Sequence, residues 1–154
     1  MKREPTRDYV TEIFRSWAAA GMPTYEEARE RIYADELAKR SHMDAETAVI
    51  QAESAADKKA TYLLDILAAQ KTMELLERGG KTAIIQAVKA VYFVCPSQPL
   101  RRGDVVERVW RFSALYPADT RTVYRWLKEA RLLCAAMRGF SITDEDAKRY
   151  RIPR

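Results

Sequence analysis

The sequence predicts an all-α protein with a helical N-terminal region, a long central helix and a C-terminal pair of helices joined by a turn. Only five of the 154 residues are Gly and six are Pro. Ala, Leu, Glu, Lys and Arg are abundant, and these side chains lose little rotamer freedom in a helix. Apolar residues recur at three- and four-residue steps, which is the spacing of one helix face. No stretch alternates apolar and polar residues in the manner of a β-strand.

Two helices are predicted in the first 40 residues. The segment 7–20 places apolar side chains at helical spacing, and Gly21 suits its end. Thr24 is followed three residues later by Glu27, which is a capping-box pattern. We therefore expect a second helix from Thr24 to about Arg40.

The central segment 45–78 contains neither Gly nor Pro. As one continuous helix it would be roughly 50 Å long at a rise of 1.5 Å per residue, more than a compact domain of this size needs. A helix of that length favours packing against a second copy of the chain. Two shorter helices packed within one subunit explain the same pattern equally well. The pair Gly79-Gly80 ends the segment in either case.

A helix over 81–94 is followed by a short linker that contains Pro96 and Pro99. Because proline cannot continue a helix, this linker is the best candidate for a domain boundary. The predicted division has three parts: a helical and possible oligomerisation domain over 1–95, a helix-turn-helix domain over 99–142, and a terminal helix or tail over 143–154.

Charge is distributed unevenly along the chain. The net charge is +5 with a pI near 9.3, but residues 1–78 carry −3 and residues 79–154 carry +8. Segment 99–142 alone has nine basic against four acidic side chains. Such an excess favours a polyanion as partner, although a solvated basic surface gives the same composition.

The strongest functional pattern is the predicted helix 120–138. Asp119 has the character of its N-cap, and Gly139 suits its end. One apolar stripe is expected to be buried: Val123, Trp126, Leu127, Ala130, Leu133, Cys134 and Met137. A shorter helix capped by Asp104 precedes it, with its own apolar residues Val105, Val106, Val109, Trp110 and Phe112.

The opposite face of helix 120–138 is polar and basic, as expected of a helix that enters the major groove with its N-terminal end. Arginine can donate two parallel hydrogen bonds to guanine, and hydroxyls or lysines can contact phosphates. The residues predicted to bind DNA are Arg121, Thr122, Tyr124, Arg125, Lys128 and Arg131, with Arg101, Arg102, Arg108 and Arg111 from the first helix and its approach.

The segment DTRTVYRWLKEAR resembles the recognition helix of sigma-70 region 4-type helix-turn-helix domains. The wider layout of RDYVTEIFRSW, a long central helix, AVKAVYFV and TVYRWLKEAR resembles phage late transcriptional regulators of the ArpU and RinA type. The resemblance implies a phage or prophage regulator that binds promoter DNA, with RNA polymerase as a further candidate partner. It places Arg121, Thr122, Tyr124, Arg125 and Lys128 at the DNA. The stretch FSALYPAD is longer than a compact sigma-type turn and lacks its Gly.

Catalytic and metal-binding patterns were not found in the sequence. His42 is the only histidine and lies in a polar break, so the Ser and Cys residues lack a plausible histidine partner for nucleophilic catalysis. No Cys/His cluster has the spacing of a metal site. No Gly-rich phosphate loop is present. The acidic run 144–146 suits the first turn of a terminal helix. We therefore expect no catalytic residue, no metal, no cofactor and no enzyme activity.

The expected location is the cytoplasm. No apolar run approaches the roughly 20 residues of a membrane span, the N-terminus is charged, and Cys95 and Cys134 are expected to be reduced and buried. Double-stranded DNA is the expected partner of a sequence-specific regulator. Two alternatives remain open: a small terminase-like DNA-packaging component and a helical protein-interaction adaptor.

Overall fold

The computed structural model describes residues 4–153, which form eight helices, are 71% helical and contain no strand. The all-α prediction is therefore confirmed. The helices are α1 (Arg7–Ala19), α2 (Tyr25–Ala38), α3 (Ala45–Asp57), α4 (Ala60–Arg78), α5 (Thr82–Tyr92), α6 (Asp104–Leu115), α7 (Thr120–Arg138) and α8 (Asp144–Arg149). In this part of the chain no helix is both long and apolar enough to cross a bilayer.

Local capping explains where several helices begin. The side chains of Thr24, Asp44 and Asp119 each accept a hydrogen bond from the amide three residues further on. These bonds satisfy amides that have no partner within the helix. Asp104 does not cap α6 in this way: it is the first helical residue, and its carboxylate accepts a bond from the amide of Arg101 at 2.8 Å.

The central segment is two helices rather than one. α3 ends at Asp57, Lys58 and Lys59 form a turn, and α4 begins at Ala60. α3 packs on α2 as a helical hairpin, whereas α4 packs on α1, α2, α5 and α7. The interpretation of two helices within one subunit is therefore correct, and the long helix expected to pack against a second copy does not form.

The hydrophobic core extends across the proline linker. α7 packs on α1, α4, α5 and α6, and the core cluster contains residues from both sides of the linker, such as Ile66 and Leu127. Residue 152, beyond α8, also belongs to it. Segments 1–95 and 99–142 thus share one core, which fixes α7 against the N-terminal helices.

Arg131 lies inside this core and not on a DNA-accessible surface. Its guanidinium donates to the Glu4 carboxylate at 2.9 and 3.0 Å and to the Tyr92 hydroxyl at 2.8 Å. The residue is only 7% exposed. The prediction that Arg131 contacts phosphate is therefore wrong. Helical spacing placed it on the outer face, but α1 and the segment before it cover that part of α7.

The two cysteines differ in environment. Cys134 is buried, and burial raises the pKa of its thiol to about 12. Cys95 is exposed in the turn after α5, with φ of 45°, so the expectation that it is buried is wrong. The helix predicted over 81–94 ends at Tyr92, so Phe93 and Val94 are already outside α5 and Cys95 lies in an exposed bend.

Replacing Arg131 by Met should lower the free energy of unfolding by about 3–5 kcal/mol. The physical reason is that the largely buried Glu4 carboxylate would be left without its cationic partner. Urea unfolding followed by far-UV circular dichroism measures the change. The control Arg102→Met removes an exposed arginine and should change stability by about 0.5 kcal/mol or less. Equal midpoints for the two variants would contradict the structural role of Arg131.

Candidate nucleic-acid interface

The first two turns of α7 have one face in the core and one face open to solvent. Asp119 caps the helix, and its hydrogen bond from the Thr122 amide, at 2.7 Å, holds the pKa of this carboxyl below its ordinary value. Nearby Arg125 and Arg121 lower that pKa further. The carboxylate therefore stays charged at neutral pH and fixes the helix N-terminus.

The exposed face of these turns is basic and aromatic. Arg121, Tyr124 and Arg125 are exposed, whereas Thr122 is half-buried. On the opposite side Val123 and Leu127 are fully buried. The predicted division of the helix into a buried stripe and a polar face is present over residues 121–128.

Beyond Lys128 the outer face of α7 is covered. Lys128 is half-buried and lies 3.9 Å from the Asp146 carboxylate of α8. Leu132, which helical spacing places on the same face, is 3% exposed. The segment that leads into α8 lies over this part of α7. The solvent-accessible face is thus shorter than the sequence predicts.

The four arginines near α6 are not equivalent. Arg101 and Arg102 are exposed just before the helix. Arg108 donates to the main-chain oxygen of Val91 at 2.9 Å, which directs its guanidinium toward the end of α5. Arg111 is exposed and forms an ion pair with Glu107 at 2.6 Å. The two arginines before the helix are therefore the better placed for an external anion.

α6 also exposes large apolar side chains. Val106, Trp110 and Leu115 are exposed, and Trp110 is 67% accessible. Val109 of this helix is fully buried, and Val105 and Phe112 pack at the edge of the core. Of the apolar residues of this helix, Val106 and Trp110 lie outside the core, because α6 packs mainly on α5 and α7.

An aromatic cluster fixes α6 relative to α7. The ring of Tyr116, in the connection between the helices, stacks on Phe112 at 5.1 Å between centroids. The same ring meets Trp126 of α7 edge-on at 5.8 Å. Such pairs stabilise beyond the area they bury. Because α6 continues to Leu115, only residues 116–119 of the stretch FSALYPAD connect the two helices, so the expectation of a longer turn is wrong. Tyr116 packs this short connection against both helices.

Sequence reasoning missed two basic residues that lie beside Arg125. Lys81, at the turn between α4 and α5, and Arg149 of α8 line the same surface depression as Arg125. Lys81 is far away in sequence, and Arg149 belongs to the segment interpreted as a tail. No local pattern connects either residue with α7.

Within residues 4–153, no group of three or more His, Cys, Asp or Glu side chains is placed to hold a metal ion. Comparison with protein-family models, curated proteins and solved structures finds no match to this chain. The resemblance to phage late regulators stays a prediction.

The two tryptophans of this region provide a matched test of the α6–α7 packing. Trp126→Ala should lower the free energy of unfolding by roughly 2–4 kcal/mol, somewhat less than a fully buried aromatic, because Trp126 is half-buried against Tyr116. Trp110→Ala should change it by about 0.5 kcal/mol or less, since the side chain is exposed. Chemical denaturation of both variants measures the difference. A larger destabilisation by Trp110→Ala would overturn the orientation of α6.

Proposed function

We propose that this protein binds double-stranded DNA as a sequence-specific transcriptional regulator of phage or prophage type, without enzymatic activity. The observation that carries the proposal is the form of α7. Its N-terminal turns present Arg121, Tyr124 and Arg125 to solvent, while its C-terminal half is anchored in the core. A rigidly held helix with a basic, solvent-exposed face at its N-terminal end suits insertion into a major groove.

The roles of the individual side chains follow from their chemistry. Arg121 and Arg125, four residues apart, lie on one face, and a guanidinium can donate two parallel hydrogen bonds to guanine O6 and N7. The hydroxyls of Tyr124 and Thr122 can contact phosphate or base. Lys128 lies further along the helix, and the nearby Asp146 makes it a weaker phosphate contact.

The α6 side supplies a second set of phosphate contacts. Arg101 and Arg102 are exposed and suit this role best. Arg111 is paired with the Glu107 carboxylate, and Arg108 donates to the main-chain oxygen of Val91, so both contribute less to phosphate binding. The charge of +8 over residues 79–154 supports a long-range attraction to DNA.

Two other functions remain candidates, and one has an observation in its favour. Val106 and Trp110 are exposed one turn apart on α6, and this apolar pair favours a protein-interaction adaptor, or a regulator that also contacts RNA polymerase. Absence of salt-sensitive DNA binding would leave the adaptor. A DNA-packaging component of small terminase type would form a ring of many subunits, which sedimentation distinguishes from a monomer or dimer.

Arg125→Ala should weaken binding to a preferred duplex by about 1–3 kcal/mol if its guanidinium contacts a base. The preferred sequence is obtained by selecting from a random duplex library with the wild-type protein. Fluorescence anisotropy then compares this duplex with random duplex. Weaker binding to the preferred sequence alone indicates base readout, and equal weakening on both indicates a phosphate contact.

The matched control is Arg29→Ala, which removes an exposed arginine from α2, away from α7. It should bind both duplexes as wild type does.

For the wild type, the logarithm of the association constant should fall steeply with the logarithm of salt concentration, by about 0.9 for each phosphate neutralised. A slope near zero, or wild-type affinity of Arg125→Ala on both duplexes, would contradict the proposed interface.

A further inference from the structure

Beside the exposed turns of α7 lies a surface depression of about 490 Å³. Three separate parts of the chain form it: the turn before α5, the middle of α7, and α8. The side chains that matter for its chemistry are Lys81, Arg125, Trp126, Glu129, Arg149 and Tyr150.

Among the described residues, the depression is lined by three cations and one carboxylate. The Lys81 ammonium lies 2.9 Å from the Glu129 carboxylate, which offsets part of its charge. The Arg149 guanidinium lies 5.8 Å from the centre of the Tyr150 ring, and Tyr150 is itself buried. Arg125 enters from α7. The depression therefore has a net positive charge, and its cationic side chains extend from parts of the backbone that are packed in the fold.

We propose that this depression binds a backbone phosphate of double-stranded DNA next to the base pairs that α7 contacts. The inference rests on the proposed function and extends it to residues outside the α6–α7 pair. Arg125 belongs both to the exposed face of α7 and to the depression, so the depression adjoins the surface proposed to meet the duplex. A phosphodiester is the anion that such a duplex presents at its edge.

The chemistry of the lining suits a phosphodiester unit. The Arg149 guanidinium offers a planar pair of donors for two phosphate oxygens, and the Lys81 ammonium acts as a compact point charge. The rings of Trp126 and Tyr150 supply an apolar wall against which a deoxyribose can pack. None of these groups distinguishes one base from another, so the site positions the duplex and does not select its sequence.

Arg149→Gln and Lys81→Gln test the site on a short random-sequence duplex. Each substitution removes one cation, and the salt slope should become less negative by about 0.9 for each phosphate that is no longer neutralised. At about 0.1 M salt this corresponds to an affinity about eightfold lower. The ratio of preferred to random binding should stay unchanged, since the phosphate backbone is the same in both duplexes.

Three further variants separate the local interaction from net charge and from misfolding. Lys58→Gln removes one exposed cation from the α3–α4 turn, remote from α7, and should leave affinity near wild type. Arg149→Lys keeps the charge and should retain most of the slope. Glu129→Gln removes the carboxylate that opposes these cations and should strengthen binding, an effect opposite to that of damage to the fold.

The outcomes distinguish the two proposals. If wild type binds duplex but Arg149→Gln and Lys81→Gln bind equally well with the same slope, the phosphate site is overturned and the α7 interface is not. If wild type shows no salt-dependent binding, the proposed function itself is overturned. If inorganic phosphate alone binds to wild type but not to Arg149→Gln, while duplex affinity is unaffected, the depression takes free phosphate and the inference is wrong.

Discussion

The guanidinium of Arg15 is buried in the protein and holds the chain where α5 ends. It donates to four main-chain oxygens, those of Tyr92, Val94, Cys95 and Gln98, and is 1% exposed. Burial is the main cause that lowers its pKa. The oxygens after a helix otherwise lack partners, so one side chain satisfies several of them at once. Because this segment leads into α6, the contact helps to position α6, which also packs directly on α5 and α7.

α7 has two roles, one in each half of the helix. Its C-terminal half is part of the core, where Arg131 joins Glu4 and Tyr92. Its N-terminal half is open to solvent on one side and carries Arg121 and Arg125. A helix anchored in this way holds its exposed side chains in a fixed geometry, which lowers the entropic cost of binding. The proposed DNA contacts therefore depend on packing some distance from them.

The charged surface and the core are linked through α8. This short helix places Arg149 in the same surface depression as Arg125. It also brings Asp146 close to Lys128, which removes one cation from the face that helical spacing predicts. The terminal segment thus shortens the exposed face of α7 along the helix axis. Through Arg149 it also extends the basic surface sideways toward Lys81.

The sequence by itself determined the all-α class and the ends of several helices, because caps and stop residues act on neighbours within a few residues. Asp119 and Gly139 bound α7 where the pattern predicts, with Gly139 in the left-handed conformation at φ of 91°. Only the tertiary structure decided which faces are covered. Helical spacing gives the direction of a side chain around the helix axis, but not which other helix lies opposite it. The sequence therefore does not show that Arg131 is buried or that Trp110 is exposed. The break at Lys58 likewise arises because α3 packs on α2 while α4 packs on α7.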